Sequence, residues 1–329
     1  MFKLNRHREC GKRYWKGMSS QPINEDNELN FKESNYRQKL KEGNMKKKIT
    51  ILDFKKFKQE GRKFSYATAY DYTTASIVNE SEVEVILVGD SLGMIMLGYS
   101  GTTAVTMDDM VHHIRPVVKG APDTFIVGDM PFGSYNISKE QAIMNGNRLI
   151  KETGCDCIKL EGGVEMADTI KAMVTAGIPV MGHIGLTPQT ATSLGGFKVQ
   201  GGTPEAAAKL IEDAKALERA GCFSLVLECV PKGVAKKLSE EVSIPVLGIG
   251  AGPYVDCQVL LTHDMLGMYG DFKPKFVKLF KNIRKEMVEG LNQFHQETLD
   301  GTFPSDEYCF NAKVEGYEIG NLPDGGTGK

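Results

Sequence analysis

The stretch Val85-Ile86-Leu87-Val88-Gly89-Asp90 decides the fold, because its ending returns at Phe125-Ile126-Val127-Gly128-Asp129. Each is a short, continuous apolar run closed by glycine and then a single acid. An unbroken run of this length suits a strand buried on both faces, as in a parallel sheet. Working outward from this pair, strands are expected at Phe64–Ala69, Val85–Gly89, Thr124–Gly128, Cys157–Glu161, Pro179–His183, Ser224–Glu228 and Pro245–Gly250, with a weaker eighth at Met265–Tyr269. Helical patterns fall between them at about 107–119, 138–153, 164–176, 204–220 and 231–241. Strands alternating with helices over roughly 250 residues fit a (β/α)8 TIM barrel better than an open doubly wound sheet.

What ends each strand carries the chemistry. The endings are Asp90, Asp129, Lys159-Leu160-Glu161, Gly182-His183 and Leu227-Glu228. Side chains alternate along a strand. Asp90 is therefore expected to share a face with Ile86 and Val88, Asp129 with Phe125 and Val127, and Lys159 and Glu161 with Cys157. In a barrel these faces meet at the C-terminal mouth, where barrel active sites lie. One acid at a strand end can be no more than a cap for the next helix; five successive strands ending in ionisable groups point to a site.

Asp90, Asp129 and Glu161 offer oxygen ligands and no thiolate, a set suited to a hard divalent cation such as Mg²⁺. Without a cation, three carboxylates at one mouth would repel one another and raise at least one pKa. Lys159 can pair with a substrate carboxylate or enolate oxygen, or simply with a neighbouring acid. Glu228, between Leu227 and Cys229, has the apolar setting of a general base. His183, in Gly182-His183-Ile184-Gly185, is a structural histidine or a substrate contact. Gly248-Ile249-Gly250-Ala251-Gly252 has the look of an anion loop, but also of a place where chain or ligand approaches closely. His112-His113 reads as a surface or packing pair.

Composition sets the limits. The chain has 329 residues, with 40 Lys and Arg against 42 Asp and Glu, so no overall field favours nucleic acid or an anionic membrane surface. No apolar run approaches the roughly 18 residues of a membrane span. Glycine is in excess, at 36 residues. Residues 1–48 carry 13 basic against 6 acidic side chains, a net of +7, which leaves −9 for the remainder. Residues 1–45, with the only tryptophan at Trp15, are expected to be a disordered extension of tag, upstream or targeting origin. Met45, followed by three lysines, is a plausible native start. The catalytic barrel is placed at 46–310 and a flexible tail at 311–329. A helix at about 274–297, with Phe276, Leu279, Phe280, Ile283, Met287, Leu291 and Phe294 on one stripe, is expected to pack on the barrel or a neighbouring subunit. Seven scattered cysteines without a C-x-x-C suggest a reducing, cytoplasmic setting, an organelle being the alternative.

Several motifs in order resemble one family. They are Thr68-Ala69-Tyr70-Asp71-Tyr72, Val88-Gly89-Asp90-Ser91-Leu92-Gly93-Met94 and Lys159-Leu160-Glu161-Gly162-Gly163, then Gly182-His183-Ile184-Gly185-Leu186-Thr187-Pro188-Gln189. Gly196-Phe197-Lys198-Val199-Gln200-Gly201, Leu227-Glu228-Cys229-Val230-Pro231 and Gly248-Ile249-Gly250-Ala251-Gly252 complete the series. Together, over about 49–310, they resemble the ketopantoate hydroxymethyltransferases. The resemblance implies a (β/α)8 barrel and transfer of a hydroxymethyl group from 5,10-methylenetetrahydrofolate to the 2-oxo acid 3-methyl-2-oxobutanoate, for pantothenate synthesis. It implies Mg²⁺ on Asp90 and Asp129, with Glu161 a third ligand, direct or through water. Asp90, Ser91, Asp129 and Lys159 would contact the 2-oxo acid, His183 would lie near the transferred group, and Glu228 would be the base. A homo-oligomer, typically a decamer, is also implied; no motif marks the folate pocket. A carbon–carbon lyase or mutase on a similar barrel would share the acids, and a non-catalytic barrel is the rival of another class.

Overall fold

The computed structural model describes residues 46–270 and 274–310. The expectations for 1–45 and 311–329 lie outside the described residues. These residues divide into a barrel unit over Lys46–Arg284 and a second unit, described over 285–310.

The barrel unit opens with helix α1 (Ile51–Glu60), then runs β1 (Phe64–Thr68), α2 (Tyr72–Glu80), β2 (Val85–Val88), α3 (Leu92–Ile95), α4 (Met107–Gly120) and β3 (Phe125–Asp129). It continues with α5 (Lys139–Thr153), β4 (Cys157–Lys159), a 3₁₀ turn at Val164–Met166 and α6 (Ala167–Thr175). Then come β5 (Val180–Gly185), a 3₁₀ turn at Pro188–Thr190, α7 (Pro204–Ala220), β6 (Ser224–Glu228), α8 (Lys232–Glu241), β7 (Val246–Ile249), β8 (Cys257–Leu260) and α9 (Thr262–Met265). All eight strands pair in parallel, in sequence order, and β8 closes on β1. The fold is a TIM barrel.

Two apolar clusters hold it. Ile86, Ile126, Ile158, Val180, Leu225 and Val246 point outward against the helices. Val85, Val127, Cys157, Met181, Val226 and Leu247 fill the interior. The N-terminal end of the barrel is plugged by α1, whose fully buried Phe54 ring sits 5.4 Å from Phe64 and 5.1 Å from both Phe125 and Phe223. Aromatics seal that end, and the charged strand ends lie at the opposite mouth. The helices begin and end as their sequences direct. In α7 the Thr203 side chain accepts from Ala206 N–H, Pro204 fits the first turn, and Gly221 ends the helix at φ 103°.

Two expectations are corrected. The eighth strand is Cys257–Leu260, not Met265–Tyr269. No helix separates it from β7; residues 250–256 make the connection alone. Gly250 and Gly252 take φ of 65° and 81°, and a Cβ on either would strike Phe276 or Lys232. Those glycines serve a tight connection and close packing. The last helix, α10, is Ile283–Asp300 and does not start near 274. The amides of Phe280 and Ile283 donate to the carbonyls of Met265 and Leu266, at 2.8 and 2.9 Å, instead of closing helical turns. Phe276 packs against the barrel's interior cluster. In the second unit no residue of α10 is buried, and Phe294, Phe303 and Tyr308 pack ring to ring at 5.6 and 5.8 Å. No described helix is long and apolar enough to cross a membrane.

Candidate active site

Register brings the charged strand ends together. Asp129 closes β3 on the interior face and lies opposite Lys159 in the ladder. The Lys159 Nζ is 2.8 Å from Asp129 Oδ1 and 3.9 Å from Glu161 Oε1. His183, on the inner face of β5, puts Nδ1 3.3 Å from Lys159 Nζ and 3.5 Å from Glu161 Oε1. Its Nε2 is 3.3 Å from Glu228 Oε2. Lys159, Glu161 and His183 are buried, whereas the Glu228 side chain keeps 15% of its surface open. Of the acids here, Glu228 is the most open to solvent.

Asp90 arrives by another route than alternation. Ile86 and Val88 face the helices, so an extended strand would have sent Asp90 outward with them. Instead β2 stops at Val88, and the chain turns at once into α3, with Leu92 N–H on Gly89 O and Gly93 N–H on Asp90 O. The turn swings Asp90 over the mouth, where its amide donates to Asp129 Oδ2 at 3.2 Å. The expected shared face is wrong; the expected location holds. Ser91 follows in the same turn, and its Oγ pairs with the Tyr70 hydroxyl at 2.8 Å. His113 is not a mere surface residue: its Nδ1 lies 2.7 Å from Tyr70 O, bracing that loop.

Four carboxylates (Asp90, Asp129, Glu161, Glu228) meet two cationic side chains (Lys159, His183), an excess of negative charge in a poorly solvated place. Burial and the neighbouring Asp129 push the Asp90 carboxyl well above its usual range. Burial likewise raises Asp129, against the pull of Lys159. Burial works against the charge on Lys159, but Asp129, Glu161 and Asp90 outweigh it and raise the ammonium's pKa. Burial and Lys159 oppose charging His183, yet the contacts with Glu161 and Glu228 win and lift it to about 9. Glu161, despite burial, is lowered by His183 and Lys159.

Two residues that strand periodicity does not mark are central. Gln189, in the turn after β5, donates from Nε2 to Asp90 Oδ2 at 2.8 Å and to Met130 O at 2.9 Å. Its amide donates to Glu161 Oε2 at 3.1 Å, and its Oε1 accepts from the Tyr135 hydroxyl at 2.5 Å. That hydroxyl also accepts from Glu161 N–H at 3.2 Å. The signal for Gln189 was its motif, Thr187-Pro188-Gln189; Tyr135 lies in a loop that offered none.

Comparison with known proteins places the chain. The model of the ketopantoate hydroxymethyltransferase family matches residues 48–306. The chain belongs to the ketopantoate hydroxymethyltransferase family. A relative from Heliobacterium modesticaldum, called 3-methyl-2-oxobutanoate hydroxymethyltransferase, is 57% identical over 271 residues, covering 82% of this chain and 98% of its own. One of the same name from Syntrophomonas wolfei is 53% identical over 268 residues, covering 82% of this chain and 97% of its own. This is an enzyme of a transferase family. Among solved structures, the phosphoenolpyruvate phosphomutase of Streptomyces platensis subsp. rosaceus superposes with a TM-score of 0.53, at 13% identity, over 77% of this chain and 88% of that one. A 2,3-dimethylmalate lyase of the PEP mutase/isocitrate lyase superfamily gives 0.51 at 13%, over 80% and 92%. At that identity the likeness is one of fold.

The donors at the mouth suit a hard cation. They are carboxylate oxygens, and the charge excess and the crowding of Asp90 by Asp129 are what a divalent ion would relieve. Among the described residues, no three His, Cys, Asp or Glu side chains form a ready ligand cluster. Glu161 is turned away, one oxygen on Gln189 N–H and the other 3.5 Å from His183. Two carboxylates with the other positions left to water or substrate oxygens is a common arrangement for Mg²⁺. The backbone beside Glu228 is strained: Cys229 has φ 50°, outside the usual range for a side-chain-bearing residue.

Proposed function

We propose that the protein catalyses transfer of a hydroxymethyl group from 5,10-methylenetetrahydrofolate to 3-methyl-2-oxobutanoate, giving ketopantoate, with Mg²⁺ as its ion. What carries the reading is Glu228, the one site acid with an open side chain, set against a buried lysine and acid pair on a chain matched along nearly the whole length of relatives bearing that name.

The residues divide the work. Asp90 and Asp129 would hold the ion, with Glu161 reaching it through water. Bound there, Mg²⁺ supplies a Lewis acid for the 2-oxo acid's oxygens and neutralises the acid pair. Lys159, kept protonated by its acids, meets the substrate's carboxylate or the charge that develops on its keto oxygen. Glu228 would take the C3 proton onto its carboxylate, with Lys159 and Ser91 holding the 2-oxo acid. His183, 3.3 Å behind it, remains charged and steadies the carboxylate between proton uptake and release. The resulting nucleophilic carbon bonds to the methylene carbon of the folate; the two C–N bonds of that carbon break to release tetrahydrofolate, and one water supplies the hydroxyl oxygen of the product. A homo-oligomer in the cytoplasm, with no nucleic-acid or membrane partner, completes the proposal.

The test is an assay with 3-methyl-2-oxobutanoate, methylenetetrahydrofolate and Mg²⁺, following ketopantoate by mass. Product that forms only with both substrates, and stops with EDTA, is the expected result. Activity untouched by EDTA removes the metal from the account. Cleavage of a larger 2-oxo acid skeleton, with no ketopantoate formed, supports the lyase alternative.

A further inference from the structure

Gln189 and Tyr135 bind four strand-end segments into one frame without belonging to any strand. Gln189 uses its backbone amide and every polar group of its side chain. Both Nε2 protons are used, on Asp90 after β2 and Met130 after β3; Oε1 takes the Tyr135 proton, and the backbone amide holds Glu161 after β4. Tyr135 in turn uses its hydroxyl twice, giving to Gln189 and accepting from Glu161 N–H. Both side chains are buried, at 3% and 1% exposure.

The chemistry of the position is narrow. It needs a neutral side chain that donates twice and accepts once, which a carboxamide does and no other uncharged side chain does at that reach. A glutamate would set another negative charge against Asp90; a methionine would fill the space and make none of the bonds. The bond to Oδ2 decides how the Asp90 carboxylate is rotated, and the amide bond decides which way Glu161 Oε2 faces.

We infer that Gln189 and Tyr135 are positioning residues: they set the rotation of Asp90 and Glu161, and so the geometry in which the acid pair receives its ion and the 2-oxo acid. The inference deepens the proposed function and rests on its reading of Asp90 and Asp129 as the ion's ligands. Partners that orient carboxylate ligands typically cost ten- to a hundredfold in metal affinity or activity when removed.

The variants are Gln189→Met, which keeps the volume, and Tyr135→Phe, which keeps the ring and serves should the first fail to fold. Three quantities are read on the full chain: Mg²⁺ binding by calorimetry with no substrate present, exchange of the C3 proton of 3-methyl-2-oxobutanoate for deuterium, and the melting temperature. Gln189→Met is expected to weaken Mg²⁺ binding ten- to a hundredfold and slow exchange by a similar factor. Tyr135→Phe should do less, and the double variant should be little worse than Gln189→Met, since the bonds form one network. A lower melting temperature with Mg²⁺ affinity and exchange unchanged overturns the inference, making the pair a brace for the fold. If the wild type takes up no Mg²⁺, the metal reading fails on its own. Exchange then decides: a tenfold or larger loss keeps the positioning role, and an unchanged rate ends it.

Discussion

Lys159 shows how one side chain ties stability to chemistry at this site. It is buried against Asp129 at 2.8 Å, with Glu161 and His183 close by, and those acids are what keep it charged. Removing one partner of a buried ion pair leaves the other's charge unpaired, at a cost of about 3–5 kcal/mol. Lys159→Met is therefore expected to lose about that much stability in urea without added Mg²⁺, and to lose C3 exchange as well. A loss under about 1 kcal/mol would mean that the acids are already neutralised some other way. Strand period put Asp129, Lys159, Glu161, His183 and Glu228 at the barrel mouth, and that is where they lie. Asp90 was placed at the right end for the wrong reason, because two residues of turn after Val88 re-aimed it. Gln189 and Tyr135 escaped because their roles exist only where loops from different strands meet, and no local pattern encodes that meeting.

Among the elements, the β5–β6 pair is tightly constrained next to the proposed base. Gly185 lies opposite Glu228 in register and has φ 93°. A Cβ there would fall 2.3 Å from Glu228 O and 3.0 Å from its N. Gly185→Ala must push the backbone of the proposed base aside, and a displacement on the order of 1 Å at a reacting group costs about a hundredfold in rate. Gly61→Ala is the matched control, with φ 64° but open space around the added carbon, at the end of α1. The expected outcome is a loss of roughly 1 kcal/mol in stability with kcat unchanged for Gly61→Ala, and a large fall in kcat for Gly185→Ala. Equal kcat in the two variants would contradict the constraint. Elements with strong period were legible to within a residue or two, α7 among them. The eighth strand was not, since its crossover carries no helix, and a short alternating run after a glycine loop resembles any turn. The start of α10 was misread because its apolar spacing continues upstream through Phe276 and Leu279, where backbone bonds to Met265 and Leu266 override it.

For the whole molecule, the division of the barrel into a sealed end and a reactive end explains why the chemistry sits where it does. Phe54 and its aromatic neighbours close one end, and the strand-end charges gather at the other. Continuous apolar runs made that polarity readable, because Asp90, Asp129, Lys159, His183 and Glu228 each come at the close of one. At this mouth Glu228, the proposed base, removes the C3 proton of the 2-oxo acid. The most direct measurement is deuterium uptake at C3 of 3-methyl-2-oxobutanoate, followed by NMR in D₂O with Mg²⁺ and no folate, for the wild type and Glu228→Gln. Ready exchange by the wild type is expected, with a loss of roughly a hundredfold or more in Glu228→Gln, the span of a general base. Exchange by Glu228→Gln at the wild-type rate would contradict it.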